Sequence, residues 1–309
     1  MNSIFYNVLP IFLIALLGSL IRRKWLKSDE FWRGLEKLSF YIIFPTVLFQ
    51  HSLKAEFNSS EFIRLAIALI IANLIVAAFL VLYQIKSNYD RIHFTSVFQG
   101  ATRYNNYILF SVGAALFGDS GLTIISAISP YLLIVTNITA ITSFYYYLPK
   151  RDNFTKQNGL ILLVKSIIVN PFILASLIGF AFNYFNINLH TGISNTITII
   201  SDAAFTIGML IVGASIKLKI EPRHFRQVFF TSSVKLLIMP IVTFVILWSM
   251  SISGLAKSVG ILFSCMPCAS SSYILSRQLG GDPETMSSII TFTTIFSILS
   301  LSILVYILG

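Results

Sequence analysis

One arginine and two asparagines interrupt an apolar stretch between residues 97 and 118. Arg103, Asn105 and Asn106 lie in its middle, and the apolar run resumes with Tyr107. Burying an arginine in the centre of a membrane-length helix is costly, so its guanidinium is expected to face protein, water or an anion rather than lipid. A guanidinium beside two carboxamides, which also donate hydrogen bonds, offers the chemistry needed to hold an anion.

A second stretch, residues 263–281, repeats this pattern. Proline at 267 removes a backbone hydrogen bond, and small or capping residues, including Ser270, Ser271 and Ser272, follow it. The Asn-Asn-Tyr-Ile-Leu run of the first stretch corresponds to Ser-Ser-Tyr-Ile-Leu here, and both stretches lead into a Gly-Asp pair. The sequence therefore predicts two copies of one interrupted helix.

The interruptions predict a site if both helices unwind near the middle of a membrane. Their second halves would then begin close to Asn105 and Ser270. The first N–H groups of a helix lack intrahelical acceptors and form the positive end of its dipole, so two such ends directed at one point favour an anion. Simpler explanations stay open: proline can merely kink a membrane helix, serine can bond to its own helix, and asparagine can join two helices.

The composition indicates where these stretches lie. The chain has 309 residues, of which 56% are hydrophobic and 11% charged, with a mean hydropathy of +0.81. This is too apolar for a soluble domain of that size and predicts an all-α polytopic membrane protein. The net charge of +10 is explained by basic residues beside the membrane, so nucleic acid is not an expected partner.

Ten apolar runs are long enough to cross a bilayer. They cover approximately residues 3–21, 38–53, 62–85, 94–117, 122–147, 160–183, 193–216, 228–250, 256–277 and 285–308. The loops after odd-numbered spans contain 16 Lys and Arg residues when Arg277 at the end of span nine is included, whereas the even-numbered loops contain only Lys54 and, at the start of span nine, Lys257. Because positive loops stay in the cytoplasm, we expect a multi-pass cell-membrane protein with both termini on the outer side.

The two halves of the chain look duplicated. Pro10 and Gly18 in span one have the spacing of Pro171 and Gly179 in span six, and the Tyr-Ile-Leu run joins span four to span nine. Five spans per half is an odd number, so the second copy must lie upside down relative to the first. We therefore predict that residues 1–155 and 156–309 form two inverted five-helix repeats, an arrangement typical of secondary transporters.

Besides Arg103, the charged residues farthest from the ends of their apolar spans are Asp202, Lys165 and Lys235. Asp202, in span seven, is a candidate for proton coupling, although a place in the outer interface or an ion pair would also explain it. Lys165 and Lys235 lie close enough to the cytoplasmic boundary to extend their ammonium groups into it, and we interpret them as anchors.

Thiol and imidazole chemistry is not predicted. Cys265 and Cys268 have the spacing of a redox pair, but their apolar surroundings, with no histidine nearby in the sequence, favour a packing role. All four histidines fall at span ends or in loops, which argues against a histidine relay. No metal site and no cofactor is therefore expected.

Three motifs carry a resemblance to a known family. They are Arg-Tyr-Asn-Asn at 103–106, Val-Gly-Ala-Ser-Ile at 212–216, and Met-Pro at 266–267 followed by Ser-Ser-Ser-Tyr-Ile-Leu and Gly-Asp-Pro-Glu. Over essentially its whole length the chain resembles the auxin efflux carrier family, which includes plant auxin exporters and bacterial malate and malonate permeases. One departure is that members often have a proline in the break of span four, where this chain has none.

The resemblance implies a ten-helix carrier whose fold is similar to that of bile-acid/sodium symporters and sodium/proton antiporters. Helices at about 3–53 and 160–216 would form a scaffold and a homodimer interface. Helices at about 62–147 and 228–308 would form a transport domain that moves in elevator fashion around crossing helices four and nine. Carboxylate substrates would bind at that crossover, for which the candidate residues are Arg103, Asn105, Asn106, Tyr107, Pro267, Ser270, Ser271 and Ser272.

Residues and resemblance together predict a secondary transporter of a small organic anion, such as malate, malonate or an auxin-like acid, with H⁺ or Na⁺ as possible coupling ions. A cation/proton antiporter on the same fold is one alternative, but it would need carboxylates at the crossover. A membrane receptor that binds without transporting is another. An enzyme is not predicted, because no nucleophile–base pair or metal cluster is visible in the spans.

Overall fold

Apolar helix-forming sequence dominates the structure, and every regular element in its described part is helical. The computed structural model describes residues 2–55, 60–148, 161, 164–165, 167–216 and 224–308. The helices, numbered in chain order, are α1 (Asn2–Lys24), α2 (Asp29–Leu38), α3 (Phe44–Ser52), α4 (Ser60–Ser87), α5 (Arg91–Thr102), α6 (Asn106–Tyr147), α7 (Pro171–Tyr184), α8 (Thr191–Ser215), α9 (Phe225–Ser233), α10 (Met239–Ser249), α11 (Gly254–Cys265), α12 (Ser271–Leu279) and α13 (Pro283–Leu308).

Prolines shape two of the long helical segments. A π-helical turn at Ser39–Ile43 joins α2 to α3, and another at Val234–Ile238 joins α9 to α10. Each turn ends directly before a helix whose second residue is proline, Pro45 or Pro240. Because proline cannot donate the regular backbone hydrogen bond, the preceding turn widens without ending the helical segment.

Several helical segments are long and apolar enough to cross a bilayer. Among the described residues these are Ser60–Ser87, Arg91–Tyr147, Thr191–Ser215 and Phe225–Ser249, and the shorter Pro171–Tyr184 and Gly254–Cys265 are also apolar. Large hydrophobic side chains remain exposed on α1, α4 and α10, as expected for surfaces that face lipid. The prediction of an all-helical membrane protein is confirmed, while the division into two inverted repeats stays a prediction.

Helices α1 and α8 pack with their backbones in contact. A Cβ atom at Gly18 would lie 2.2 Å from the carbonyl oxygen of Leu210, and one at Gly213 would lie 1.7 Å from that of Ala15. Only glycine permits this approach. Close packing through small residues is how helices associate in lipid, where the surrounding tails are as apolar as the side chains.

An aromatic cluster holds α3 against α6 and α7. The Phe44 ring lies 4.7 Å from Tyr107, 5.9 Å from Phe110 and 6.0 Å from Phe172, measured between ring centroids. Phe44, Phe110 and Phe172 are buried, so the first turns of α6 are fixed in position by packing. These turns begin at the first interruption.

The first helix is interrupted although it lacks a proline. Helix α5 ends at Thr102, and Arg103 and Asn105 adopt extended backbone angles before α6 begins. Asn105 begins α6 as its N-cap, since its Oδ1 accepts a hydrogen bond from the Ile108 N–H at 3.2 Å. On the other side of the break, the Asn73 amide donates to the Thr102 carbonyl at 2.8 Å, which satisfies one of the carbonyls that α5 leaves open.

The second interruption follows its proline. Helix α11 ends at Cys265, and Met266 is extended because a residue before proline disfavours the helical conformation. Helix α12 then begins at Ser271 and ends at Gly280, whose positive φ of 79° terminates it. Gly118, with a φ of 57°, makes the corresponding break within α6. Both half-helices that leave the interruptions therefore end at a glycine turn.

Candidate functional site

The two interruptions meet. The backbone N–H of Asn105 donates to the carbonyl of Pro267 at 2.9 Å. Asn105 lies in the non-helical segment between α5 and α6, and Pro267 in the one between α11 and α12. The Asn105 side chain reinforces this contact, because its Nδ2 donates to Ser270 Oγ at 3.2 Å while its Oδ1 caps α6. One asparagine thus starts the second half of the first helix and joins it to the start of α12.

Arg103 is buried at this crossing point. Its side chain is 8% exposed, and one guanidinium nitrogen donates to Ser271 Oγ at 3.1 Å. No carboxylate lies within ion-pair distance of it in the described part of the chain. A buried guanidinium has five N–H donors and a full positive charge, so one serine hydroxyl leaves most of its hydrogen-bonding capacity available.

Two backbone N–H groups of the second interruption have acceptors, one on a neighbouring helix and one within the segment itself. The Cys268 N–H donates to Thr293 Oγ1 of α13 at 3.3 Å, and the Ser272 N–H donates to the Ala269 carbonyl at 3.1 Å. Both cysteines are buried and are not joined by a disulfide. The segment is therefore held by α13, and its Ser270 and Ser271 contact Asn105 and Arg103 of the first interruption.

Helix dipoles add to the positive character of the crossing point. The first turns of α6 and α12 both begin there, so each contributes N–H groups and the positive end of its dipole. Arg103, Asn105, Ser270 and Ser271 supply side-chain groups at the same place. This arrangement can bind a small anion through several charge-assisted hydrogen bonds.

Comparison with known proteins gives two matches to this sequence. A sequence profile described as "Membrane transport protein" matches residues 3–305. The chain belongs to this family. It is also 23% identical over 301 residues, covering 96% of this chain and 95% of the other, to a protein of Methanothermobacter thermautotrophicus named as an uncharacterized transporter. The resemblance to auxin efflux carriers is confirmed, and the function is of the membrane-transporter class.

Not every predicted site residue of this membrane transport protein lies at the crossing contacts. Asn106 lies beside Asn105, is partly exposed, and has an Oδ1 without a hydrogen-bond partner among the described residues. Tyr107 packs its ring against Phe44, and Ser272 is fully buried. Asp202 is exposed on α8 and makes no ion pair with any described residue.

Lys235 is a residue that the sequence analysis misplaced. Interpreted there as an interfacial anchor, it is only 2% exposed, in the π-helical turn between α9 and α10. It lines a cavity of about 20 Å³, room for a single water molecule, together with Asn73, Thr102 and Tyr104. Its depth, seven residues after 228, does not distinguish a buried lysine from an anchor, so the sequence carries no signal for its burial. As with Arg103, no carboxylate pairs with it in the part of the chain that is described.

Proposed function

We propose that this member of the membrane transport protein family is a secondary carrier for a small organic anion, which binds where the two interrupted helices cross. The observation that carries the proposal is the pair of buried cations, Arg103 and Lys235, which have no acidic partner among the described residues. A buried charge is stable only when it is compensated, and a negatively charged substrate provides that compensation.

The magnitude of this attraction favours an anion over a neutral ligand. Two unit charges about 4 Å apart interact by roughly 4 kcal/mol at an effective dielectric constant of 20. A helix N-terminus adds about 0.3–1 kcal/mol, and two of them are present. A carboxylate has two oxygens, enough to accept from Arg103 and from Asn105 or Ser271 together. We therefore expect carboxylates such as malate, malonate or an auxin-like acid.

The proposed mechanism rests on two inverted five-helix repeats, residues 1–155 and 156–309. Helices α1, α3, α7 and α8 would form a scaffold, and their packing through glycine at the α1–α8 contact supports a rigid unit. The transport domain, residues 62–147 and 228–308, would carry the crossing point past this scaffold. Alternate exposure to the two sides of the membrane would follow from this elevator movement.

We further propose a cell-membrane location with both termini outside, since the basic residues concentrate in the loops after odd-numbered spans. The protein would act as a homodimer through its scaffold helices. Asp202 would couple transport to protons from its place on α8, away from the crossing contacts that Arg103 and Asn105 make with Ser271 and Ser270. A cation antiporter is disfavoured by the absence of carboxylates from the described crossing contacts.

Uptake by proteoliposomes tests the proposal. Purified protein is reconstituted and the uptake of radiolabelled malate and malonate is followed with a proton gradient, a sodium gradient or neither. We expect saturable uptake that is abolished in Arg103→Ala and requires about ten- to a hundredfold more substrate in Asn105→Ala. Arg64→Ala, which removes an exposed arginine on α4, is the matched control and should transport normally.

Three outcomes would contradict the proposal in different ways. Normal uptake by both crossing-point variants would refute the assignment of the site. Carboxylate binding without flux in the wild type would indicate a receptor rather than a carrier. Cation flux that does not depend on any carboxylate would indicate an antiporter. Circular dichroism and size-exclusion chromatography of each variant distinguish loss of transport from loss of folding.

A further inference from the structure

Three side chains with metal-binding atoms meet at one end of the helix bundle. His93 lies in the first turn of α5, His224 directly precedes α9, and Asp282 directly precedes α13. One ring nitrogen of each histidine and one carboxylate oxygen of Asp282 lie within 4.8 Å of one another. His93 is ten residues, or about 15 Å of helix, before Arg103, so this cluster is separate from the crossing point.

Carboxylates lie on both sides of the His93 ring. Its Nδ1 is 2.7 Å from Asp90 Oδ1, and its Nε2 is 3.3 Å from Asp282 Oδ2. When Nδ1–H donates to Asp90, a neutral ring directs the lone pair of Nε2 at a carboxylate oxygen. The lone pair and the carboxylate oxygen repel each other, and a cation bound between them is attracted to both. A separation of 3.3 Å is also close to the distance between two ligands that each lie about 2.0–2.1 Å from a tetrahedral Zn²⁺.

His224 supplies the second imidazole. It is buried, its Nδ1 lies 2.8 Å from Thr285 Oγ1, and its Nε2 has no hydrogen-bond partner among the described residues. The Thr285 hydroxyl donates its one proton to Asp282 Oδ2, so it accepts from Nδ1–H of His224. With Nδ1 used as the donor, the neutral form of the ring has its lone pair on Nε2, the atom that is free to bind a metal ion.

The two carboxylate oxygens of Asp282 have different partners, one at the start of α13 and the other among the three metal-binding side chains. Its Oδ1 accepts from the N–H groups of Glu284 and Thr285 at 3.0 and 3.2 Å, which caps α13. Its Oδ2 faces His93 and Thr285. The cap fixes the carboxylate in place, and Asp90 fixes the His93 ring in the same way that carboxylates orient metal-binding histidines.

We propose that His93, His224 and Asp282 form a binding site for a divalent transition-metal ion, with Zn²⁺ as the best match. Two imidazoles and one carboxylate are a common zinc donor set and leave a fourth position for water. Mg²⁺ prefers oxygen ligands only and fits poorly. The bound ion joins the starts of α5, α9 and α13, and so connects the helix that leads to Arg103 with two of its neighbours.

Calorimetric titration of ZnCl₂ into the purified full-length protein, after removal of any affinity tag and with excess MgCl₂ present, tests this site. We expect saturable binding of one Zn²⁺ per chain and a higher unfolding temperature in its presence. His93→Gln and His224→Gln should each weaken binding roughly 100-fold or more. Asp90→Asn, which alters a positioning residue, should weaken it about 10- to 100-fold. His190→Gln removes an exposed histidine elsewhere and should bind as the wild type does.

The proposal is overturned if the wild type gives no saturable Zn²⁺ binding, or if His93→Gln and His224→Gln bind as tightly as His190→Gln. Should either histidine variant fail to fold, Asp282→Asn answers the same question, because its amide oxygen still caps α13 while the anionic ligand is lost. Full-affinity binding by Asp282→Asn would also overturn the site. These readouts measure metal binding directly, so they do not depend on whether the protein transports an anion.

Discussion

Replacing Asn105 by aspartate separates two interactions of one side chain. In the wild type, Oδ1 accepts from the Ile108 N–H at 3.2 Å, and Nδ2 donates to Ser270 Oγ at 3.2 Å. Aspartate keeps the acceptor that caps α6, loses the donor, and adds a negative charge beside the proposed anion site. Alanine loses both the cap and the donor. The two variants should therefore affect stability and binding in opposite orders.

The magnitudes follow from these contacts. Loss of the cap costs about 1 kcal/mol and loss of the buried hydrogen bond about 1 more, so Asn105→Ala should lower the free energy of unfolding by about 2 kcal/mol. Asn105→Asp should lose less, because aspartate caps as well as asparagine and its charge lies at the positive end of α6. A carboxylate about 4 Å from a bound anion repels it by roughly 4 kcal/mol, or about a thousandfold in affinity. Alanine costs only one charge-assisted hydrogen bond, about ten- to a hundredfold.

Thermal unfolding of the purified variants, with and without malonate, measures both quantities. Asn195→Asp places the same new charge on an exposed position of α8 and should bind malonate normally. If Asn105→Asp binds malonate more tightly than Asn105→Ala does, no anion lies beside Asn105 and the site is wrong. If it unfolds at or below the temperature of Asn105→Ala, the capping role is wrong instead.

Three further predictions concern packing and buried charge. Gly213→Ala should lower the free energy of unfolding by about 1–3 kcal/mol or more, because its Cβ would lie 1.7 Å from a backbone oxygen. Gly34→Ala has open space around it and should be slightly stabilising. Denaturant titration of the two variants measures both free energies. Lys235→Met should raise the melting temperature, because it removes a buried charge that has no acidic partner in the described part of the chain. It should also reduce the stabilisation that malonate provides. A lower melting temperature would show that the lysine charge is balanced by other groups in the protein. Burial raises the pKa of the Glu36 carboxyl above its usual range, so ionising this carboxyl at pH 7.5 costs stability. Glu36→Gln should therefore have a higher melting temperature than the wild type at pH 7.5. The difference in melting temperature should shrink as the pH falls towards 4.5, because the wild-type carboxyl then becomes neutral.

Local sequence chemistry was sufficient to locate the interruptions and their ends. Pro267 removes a backbone hydrogen bond and disfavours the helical conformation of the residue before it, and the asparagine pair at 105–106 is a recognisable capping signal. The two stretches were also predicted to meet, and the 2.9 Å bond between Asn105 and Pro267 shows that they do. These features depend on residues close together in the chain, which is why the pattern reveals them.

Features that depend on packing could not be read from the pattern. Lys235 lies at a depth from which an ammonium group on a lipid-facing surface would reach the interface, and only the neighbouring helices reveal that it points inward. His93, His224 and Asp282 lie far apart in the sequence, so each looks like an ordinary polar residue near a span end. Their proximity results from the way α5, α9 and α13 begin at the same end of the bundle.

The two interruptions depend on each other. Nothing in the sequence from Arg103 to Asn106 forbids a helix, and closing this break would restore about three backbone hydrogen bonds at roughly 1 kcal/mol each. Closing it would also remove three bonds to the second segment, which are those of the Asn105 N–H with Pro267, the Asn105 amide with Ser270 and Arg103 with Ser271. The two sets nearly balance, so the first break is held open by its contacts with the second segment, whose own break is favoured by Pro267 and by the extended Met266 before it. The two helix N-termini, and the positive charge concentrated at the crossing point, therefore depend on both segments together.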